Sequence, residues 1–463
     1  MKNLKHDFGL RIVKLLAVIL ATVPFAVCWY LYYAERIYVP FYSKGNWLMV
    51  ALFVVLYVIF ARVYDAFLIS VHRISEMIYS QGLAALLADG IMFCVIWLLK
   101  RSFPNILPGL IALATQILFA VVWSVLAHKW YYASFPPKKS VIVFDKSYGI
   151  EQLIREYGLE KKFSIRQTLH VSECLADLRS LEGMDTVFIS GVQSHERNMI
   201  LKYCVSNGIQ VYVLPRIGDI IMSGAKRVHM FHLPMLRVGR YMPHPETVLA
   251  KRIFDIAVSA AALLIFSPVM LITAIAIKLT DGGPVLYRQP RLTKDGKVFN
   301  VLKFRSMRVD AEKDGVARLS TGDKDDRITP VGRIIRKVRI DELPQLLNIL
   351  GGSMSVVGPR PERPEIAEQY EKELPEFRLR LQVKAGLTGY AQVYGKYNTT
   401  PYDKLQMDLM YIANPSFLED LRIIFATVKI LFVPESTDGV GEGQTTAAHT
   451  ENREEELVGA GKG

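Results

Sequence analysis

Cysteine is scarce in this sequence, and the scarcity is informative. Cys28, Cys94, Cys174 and Cys204 are the four present, and none forms a CxxC pair. That excludes a disulfide framework and suits a reducing cytosol. Zinc-finger spacing, an RNP-like motif and a glycine-rich basic tail are also missing, so nucleic acid is the weakest of the partners that a basic protein suggests. No small-residue cleavage site follows the first apolar run, which therefore reads as a retained anchor and not a removed signal. What is plentiful is apolar surface and positive charge. Of 463 residues, 51% are hydrophobic, and the net charge is +12. The isoelectric point is near 9.3 and the mean hydropathy is positive. A chain of this length holds two or three domains. The balance fits a mixed membrane and soluble architecture, with an anionic bilayer surface or a phosphorylated substrate as the charge partner.

Four apolar runs predict transmembrane helices, at residues 15–33, 45–61, 82–99 and 106–127. Residues 1–134 are read as a four-helix transmembrane region on that basis. Asp89 falls in the third run, and the reading places it near the headgroups. Lysines and arginines set the orientation. Arg11, Lys14, Arg62, Arg73, Lys129, Lys138 and Lys139 outnumber Arg36, Lys44, Lys100 and Arg101 on the opposite loops. The bias puts the N-terminus and everything after Ala127 in the cytoplasm.

After a Pro-Pro-Lys-Lys linker, the runs VIVFD, TVFISG and QVYVLP read as buried strands separated by helical stretches. Alternation of that kind predicts a small parallel α/β domain, Rossmann-like, over residues 138–240. The turn after VIVFD lacks GxGxxG, so the phosphate-cradling backbone of a dinucleotide site is absent. A structural or regulatory module fits better than a cofactor site.

Residues 251–279, KRIFDIAVSAAALLIFSPVMLITAIAIKL, are apolar enough to enter a bilayer, yet Ser267-Pro268 sits mid-run. Proline removes a helix hydrogen bond and clashes with the preceding turn. Either this is a kinked fifth span, or it is a re-entrant helix hairpin that enters and leaves on one face. A fifth span would export the Arg- and Lys-dense sequence downstream of it, which favours the hairpin. Lys251, Arg252 and Lys278 are then expected to hold both ends at the surface by snorkelling.

Downstream, Asp295-Gly296 between two alternating runs is a hairpin signal. It would bring Arg288 near Lys303 and Arg305, a plausible phosphate site. The segment RIDELPQLLNIL sets Asp341 beside Glu342 ahead of a leucine-rich run. Taken alone, such a pair reads as helix-start chemistry, since acids favour the first turn. In GPRPE, Arg360 lies between two prolines that fix the backbone, pre-setting its guanidinium for phosphate. KAGLTGYAQVYG is glycine-rich and contains Thr388 and Gln392, with backbone N–H groups available to line a polar pocket. Residues 417–433 suggest an interfacial amphipathic helix or a core helix. Residues 435–463 read as a disordered tail.

Together these pieces resemble the bacterial sugar transferases, the monotopic phosphoglycosyl transferases that load a phosphosugar onto polyprenyl phosphate. The resemblance runs from about Lys251 to Val433. It rests on KRIFD with its Ser267-Pro268 break, LYRQPRLTKDGKVFNVLKFRSM, RITPVGRIIRKVRIDELPQLLNIL, MSVVGPRPE, KAGLTGYAQVYG and MDLMYIANPS. Arg339 departs from the small polar residue common there, and Lys396 from the more usual arginine.

The resemblance implies a catalytic domain, α-rich, over residues 248–434. The fold class expected for the whole chain is mixed membrane and α+β. It implies catalysis by Asp341 and Glu342, with Mg2+ held by Glu342. Asp341 would attack the β-phosphorus of a UDP-sugar and expel UMP. Undecaprenyl phosphate would then take the phosphosugar from the aspartyl intermediate. Arg288, Lys303, Arg305, Arg336 and Arg360 are the candidate phosphate cations, and Thr388 and Gln392 further substrate contacts. The long form of the family points to exopolysaccharide, capsule or O-antigen precursors made at the cytoplasmic face of the bacterial inner membrane. The bilayer is an expected partner, and a homo-oligomer is compatible with the sequence. Two other readings stay open: an inactive assembly or regulatory subunit, and a redox enzyme built on the α/β domain.

Overall fold

The computed structural model describes residues 2–42, 44–146, 149–308, 327–395 and 400–431. It divides into two compact units, one ending at Leu214 and one beginning at Pro215.

The first unit starts with four long helices, α1 (Lys2–Cys28, continued by a π turn over Trp29–Tyr33), α2 (Lys44–Val63), α3 (Ile74–Lys100) and α4 (Leu107–Ser134). They pack on small and aromatic residues: Ala84, Ala88, Phe53 and Met77 are wholly buried. Small side chains let helices approach closely where no water drives association. Outward-facing positions remain apolar, as at Leu98 and Leu118. Asp89 lies in the middle of α3, beside Gln116 of α4, rather than near a helix end. Buried polar neighbours on the adjoining helix account for an acid at that depth.

The α/β part comes next as β1 (Lys138–Phe144), α5 (Ile150–Glu156), β2 (Phe163–His170), α6 (Val171–Ala176), β3 (Thr186–Ser190), α7 (Ser194–Ser206) and β4 (Gln210–Val213). The sheet is wholly parallel, in the order β2-β1-β3-β4. Val141, Val143, Val187 and Ile189 line one face and pack against Cys174, Ile200 and Cys204. The sequence reading missed β2, whose residues Arg166 and Gln167 are polar. As an edge strand it has no need of the continuous apolar run of a central parallel strand.

The second unit opens with α8 (Ile217–Ser223), the hairpin β5–β6 (Lys226–Met230 and Leu233–Arg237) and α9 (Pro245–Asp281). Residues 215–223 therefore belong to the second unit rather than to the α/β part, because Ile217 and Ile220 enter the core with Leu405 and Leu409. The hairpin predicted at Asp295-Gly296 is present: β7 (Leu286–Leu292) pairs antiparallel with β8 (Val298–Phe304). Asp295 and Gly296 both take positive φ, 61° and 72°, as a turn of matching twist requires. Next come α10 (Pro330–Lys337), α11 (Gln345–Leu350), β9 (Ser355–Val357) and α12 (Pro364–Glu373). Then β10 (Gly386–Thr388), parallel to β9, leads to α13 (Tyr390–Tyr394), α14 (Pro401–Ala413) and α15 (Phe417–Leu431). The expected tail over 435–463, and Lys396, lie outside the described residues.

Helix α9 is continuous, so Ser267-Pro268 sits inside one helix rather than between two. Proline cannot donate to the Leu264 carbonyl four residues back. The Ser267 hydroxyl donates to it instead, at 2.9 Å. At the N-terminal end, Lys251 and Arg252 do not snorkel but bind inward. Lys251 Nζ lies 2.6 Å from Asp420 Oδ2. Arg252 donates to the carbonyls of Ile349 and Leu350 at the end of α11. Carbonyls of a helix's last turn have spare acceptor capacity, which makes them partners for a guanidinium. Asp255, nearly fully buried, accepts from Ser355 Oγ and the Val356 amide, both at 3.0 Å. At the other end Ile277 packs with Phe304 and Ile335. Both ends of α9 are thus fixed to the same unit, while Leu264, Ile265, Leu271 and Ile272 between them are exposed. Among the described residues five helices, α1 to α4 and α9, are long and apolar enough to cross a membrane.

Asp255→Ala is expected to lower unfolding stability by about 2–3 kcal/mol, because a buried amide and hydroxyl lose their acceptor. A thermal melt of the detergent-purified protein measures this; an unchanged melting temperature would show that the pairing is dispensable.

Candidate active site

The chain reaches the acidic pair through a sharp local turn. Thr329 caps α10 by accepting from the Gly332 amide at 2.9 Å. Gly332 has no room for a side chain, since a Cβ would lie 1.9 Å from the Ser306 carbonyl. That approach pins α10 against the chain leaving β8. Arg339 then adopts φ 54°, reversing the chain into a single 3-10 turn over Ile340–Glu342. Neither acid caps the next helix; α11 begins after Pro344 with no side-chain cap. Helix-start chemistry is therefore not what the pair does.

Glu342 is engaged by cations instead. Lys303 Nζ on β8 lies 2.8 Å from Glu342 Oε1, and Arg360 Nη2 lies 3.1 Å from the same oxygen. The strand carrying Lys303 is fixed by Asn348 of α11, whose side chain accepts from the Leu302 amide and donates to the Asn300 carbonyl, each at 2.9 Å. Burial pushes the Glu342 carboxyl up, but Lys303 and Arg360 outweigh it and hold it below the usual carboxylate range. Asp341 goes the other way. Burial and the neighbouring Glu342 charge push its carboxyl up from 3.8 to about 6, against the pull of Lys303, Arg336 and Arg360. Two adjacent carboxylates thus have different electrostatic settings, one firmly ionised and one poised.

The structure gathers some of the predicted residues and separates others. Lys303, Arg336 and Arg360 all bear on the pair. Arg288 does not: the register sets it opposite Leu302, while Lys303 lies opposite Tyr287. Successive strand residues face opposite ways, so Arg288 is on the far face of the hairpin. Arg305 is nearly buried and donates to the Pro284 carbonyl at 2.8 Å, a structural bond. Thr388 Oγ1 pairs with Thr427 Oγ1 at 2.6 Å, and Gln392 donates to the Leu387 carbonyl at 3.0 Å. Among the described residues neither contacts the acidic pair. The glycines of KAGLTG serve close packing rather than a pocket. A Cβ on Gly386 would lie 2.1 Å from the Gly358 nitrogen, and the Gly386 amide is spent on the Pro359 carbonyl at 2.9 Å.

Sequence reasoning missed the charges behind Arg360. Arg380 and Asp408 form a buried ion pair at 2.6 Å, and Arg291 hydrogen-bonds Gln289 and the Pro361 carbonyl. One signal was available. Leu405, Asp408, Leu409 and Ile412 fall on one helical face, so a lone acid there must be buried and paired.

Among the described residues no group of three or more His, Cys, Asp or Glu side chains forms a metal cage. The Glu342 carboxylate, held by Lys303 and Arg360 through Oε1, still fits magnesium, which binds through one or two carboxylates and takes water and phosphate oxygens for the rest.

Residues 246–434 match the family described as bacterial sugar transferase. The chain is 38% identical over 239 residues to a UDP-N-acetylgalactosamine-undecaprenyl-phosphate N-acetylgalactosaminephosphotransferase of Aeromonas hydrophila, covering 51% of this chain and 55% of that protein. It is 40% identical over 206 residues to a UDP-glucose:undecaprenyl-phosphate glucose-1-phosphate transferase of Caulobacter vibrioides, covering 43% and 76%. An exopolysaccharide production protein of Rhizobium leguminosarum bv. phaseoli is 43% identical over 203 residues, 42% of this chain and 98% of its own length. The chain spans about half the length of the Aeromonas relative, and 44% of an Escherichia coli UDP-glucose:undecaprenyl-phosphate glucose-1-phosphate transferase.

A carboxyl group whose value is raised on folding costs stability once it ionises. The cost is absent below about pH 4, where it is protonated folded and unfolded, and complete above about pH 6. Asp341→Asn is therefore expected to raise stability by about 1–2 kcal/mol at pH 8 and to lose that gain by pH 4. Melts across that range check it; equal stability at pH 8 would mean that Asp341 is well solvated.

Proposed function

The chain belongs to the bacterial sugar transferase family, and from that premise we propose that it transfers a sugar 1-phosphate from a UDP-sugar to undecaprenyl phosphate, releasing UMP. The observation that carries this reading is the asymmetric acidic pair, with Glu342 neutralised by Lys303 and Arg360 while among the described residues no ion pair is formed by Asp341.

In the proposed reaction an Asp341 carboxylate oxygen attacks the β-phosphorus of the donor. The bond from that phosphorus to the bridging oxygen breaks, and UMP leaves with the electron pair. A phosphate oxygen of the lipid acceptor then attacks the same phosphorus and displaces Asp341. Splitting the transfer into two displacements lets a site serve a water-soluble donor and a hydrocarbon-tailed acceptor in turn. Lys303, Arg336 and Arg360 offset the repulsion between the incoming diphosphate and the carboxylates. Glu342 would hold a magnesium ion, which when bound neutralises charge on the diphosphate and the departing UMP. Its lowered pKa keeps the Glu342 carboxyl ionised, and so an acceptor, throughout.

The membrane elements support the same reading. Helices α1 to α4 are proposed to span the inner membrane and return the chain to the cytoplasm. Helix α9 is proposed to bend at Ser267-Pro268, where proline breaks the bonding pattern, so that it dips into the cytoplasmic leaflet and comes back. Its two ends are fixed to one folded unit and its exposed middle is apolar, so the reaction stays beside the lipid acceptor and within reach of cytoplasmic donor.

Three experiments test the proposal. Purified protein in lipid, given Mg2+, undecaprenyl phosphate and a panel including UDP-glucose and UDP-N-acetylgalactosamine, is expected to release UMP. Asp341→Asn is expected to lower the rate by at least about a thousandfold. With donor alone, mass spectrometry is expected to find a phosphosugar on the Asp341 peptide. Silence across the panel would favour the assembly-subunit reading, and turnover by Asp341→Asn would remove the nucleophile. For α9, single cysteines at Leu249 and Leu279, introduced without the native four, are expected to react with an impermeant thiol reagent from the cytoplasmic side only. Labelling from opposite sides would make it a fifth span.

A further inference from the structure

The loop that presents Arg360 is built in an unusual way. Residues 359–362 read Pro-Arg-Pro-Glu, so two of the four have no N–H to give. Their carbonyls, however, are all taken, each by a different donor. Pro359 O accepts from the Gly386 amide at 2.9 Å, and Glu362 O from the Leu292 amide at 3.0 Å. Arg360 O accepts from Arg380 Nη2 at 2.9 Å, and Pro361 O from Arg291 Nη1 at 3.0 Å. Two arginine side chains, Arg380 buried and Arg291 partly buried, therefore grip the backbone on either side of the Arg360–Pro361 bond.

The charge of Arg380 is not available to a substrate. Its side chain is 3% exposed and contacts Asp408 Oδ2 at 2.6 Å and Glu362 Oε1 at 3.7 Å. Asp408 is 1% exposed. What remains is geometry. A guanidinium is a planar fork, so one edge held by Asp408 aims the other at a fixed point, here the Arg360 carbonyl. Arg291 is oriented in the same manner by Gln289, whose Oε1 accepts at 2.6 Å and 3.1 Å. Arg360 itself is 45% exposed and long. Without a fixed backbone only the ion pair itself would hold its side chain on Glu342.

We propose that Arg380 and Arg291 are positioning residues that act through Arg360, holding its guanidinium against Glu342 by clamping the backbone that carries it. The catalytic consequence rests on the function proposed above; the positioning itself does not.

Arg380→Lys keeps the charge for Asp408 but loses the fork. In this variant the melting temperature is expected to stay close to that of the wild type. The rate of UMP release should fall about 10- to 100-fold with little change in donor KM, as for a group moved by a fraction of an ångström. In an Arg360→Ala background the same substitution is expected to have no further effect, since its target is gone. An equal loss in both backgrounds, or no loss in either, would overturn the proposal. Arg291→Lys provides the same cycle if Arg380→Lys does not fold. A second readout needs no turnover: phenylglyoxal modification of Arg360, followed by peptide mass spectrometry, is expected to run several-fold faster in Arg380→Lys than in the wild type. Unchanged reactivity at Arg360 would defeat the clamp, whatever the protein proves to catalyse.

Discussion

Keeping two neighbouring carboxylates partly out of water, and on different terms, is the constraint on which the second unit is built. A buried acid is costly unless cations or hydrogen bonds compensate it. Glu342 receives that compensation in full, from Lys303 on a strand and Arg360 on a loop. Asp341 receives it only at a distance. The 3-10 turn and the positive φ of Arg339 make the division possible, because they direct two consecutive side chains into different surroundings. Much of the neighbouring architecture serves to put the two cations where they are. Asn348 fixes the strand, the Gly332 contact fixes α10, and the arginine clamps fix the loop.

Several of these elements were legible in the sequence. Hydrophobic runs gave the long helices, strand alternation gave the parallel sheet, and Asp295-Gly296 gave the hairpin. The acidic pair and Pro-Arg-Pro stood out as a candidate site only through the family resemblance, since taken alone the pair reads as helix-start chemistry. What stayed hidden depended on register and depth. Arg288 and Lys303 look equivalent in sequence, and only the pairing of Arg288 with Leu302 shows that they face apart. Arg305 looks as free as Lys303, yet it is spent on a turn. The glycines of KAGLTG suggested available amides, whereas β9 and β10 lie so close that the Gly386 amide is spent on the Pro359 carbonyl. β2 was missed because edge strands carry no strong apolar signature.

The KRIFD segment shows how a membrane element and a polar site are joined. Lys251, Arg252 and Asp255 lie on one flank of α9, and each binds a different part of the unit: the Asp420 carboxylate, the end of α11 and the start of β9. The same helix is apolar and exposed a few turns on. One continuous element therefore changes character along its length, and its polar flank is bound into the core of the second unit. Ser267 keeps the helix bonded where Pro268 removes a donor, so the apolar stretch leaves no carbonyl of that turn bare.

The four carbonyls of the Pro-Arg-Pro-Glu loop are bound by residues 291, 292, 380 and 386. These donors lie on both sides of the loop in the chain, most of them far from it. A segment held only by distant partners has no local route to its final shape, and such contacts form late in folding. Arg360 therefore stays unplaced until the chain beyond residue 386 has been made and packed. During synthesis the acidic turn exists well before the cation that completes it, so a nascent or truncated polypeptide holds an unfinished reaction centre, and competence arrives with the last pieces of the domain.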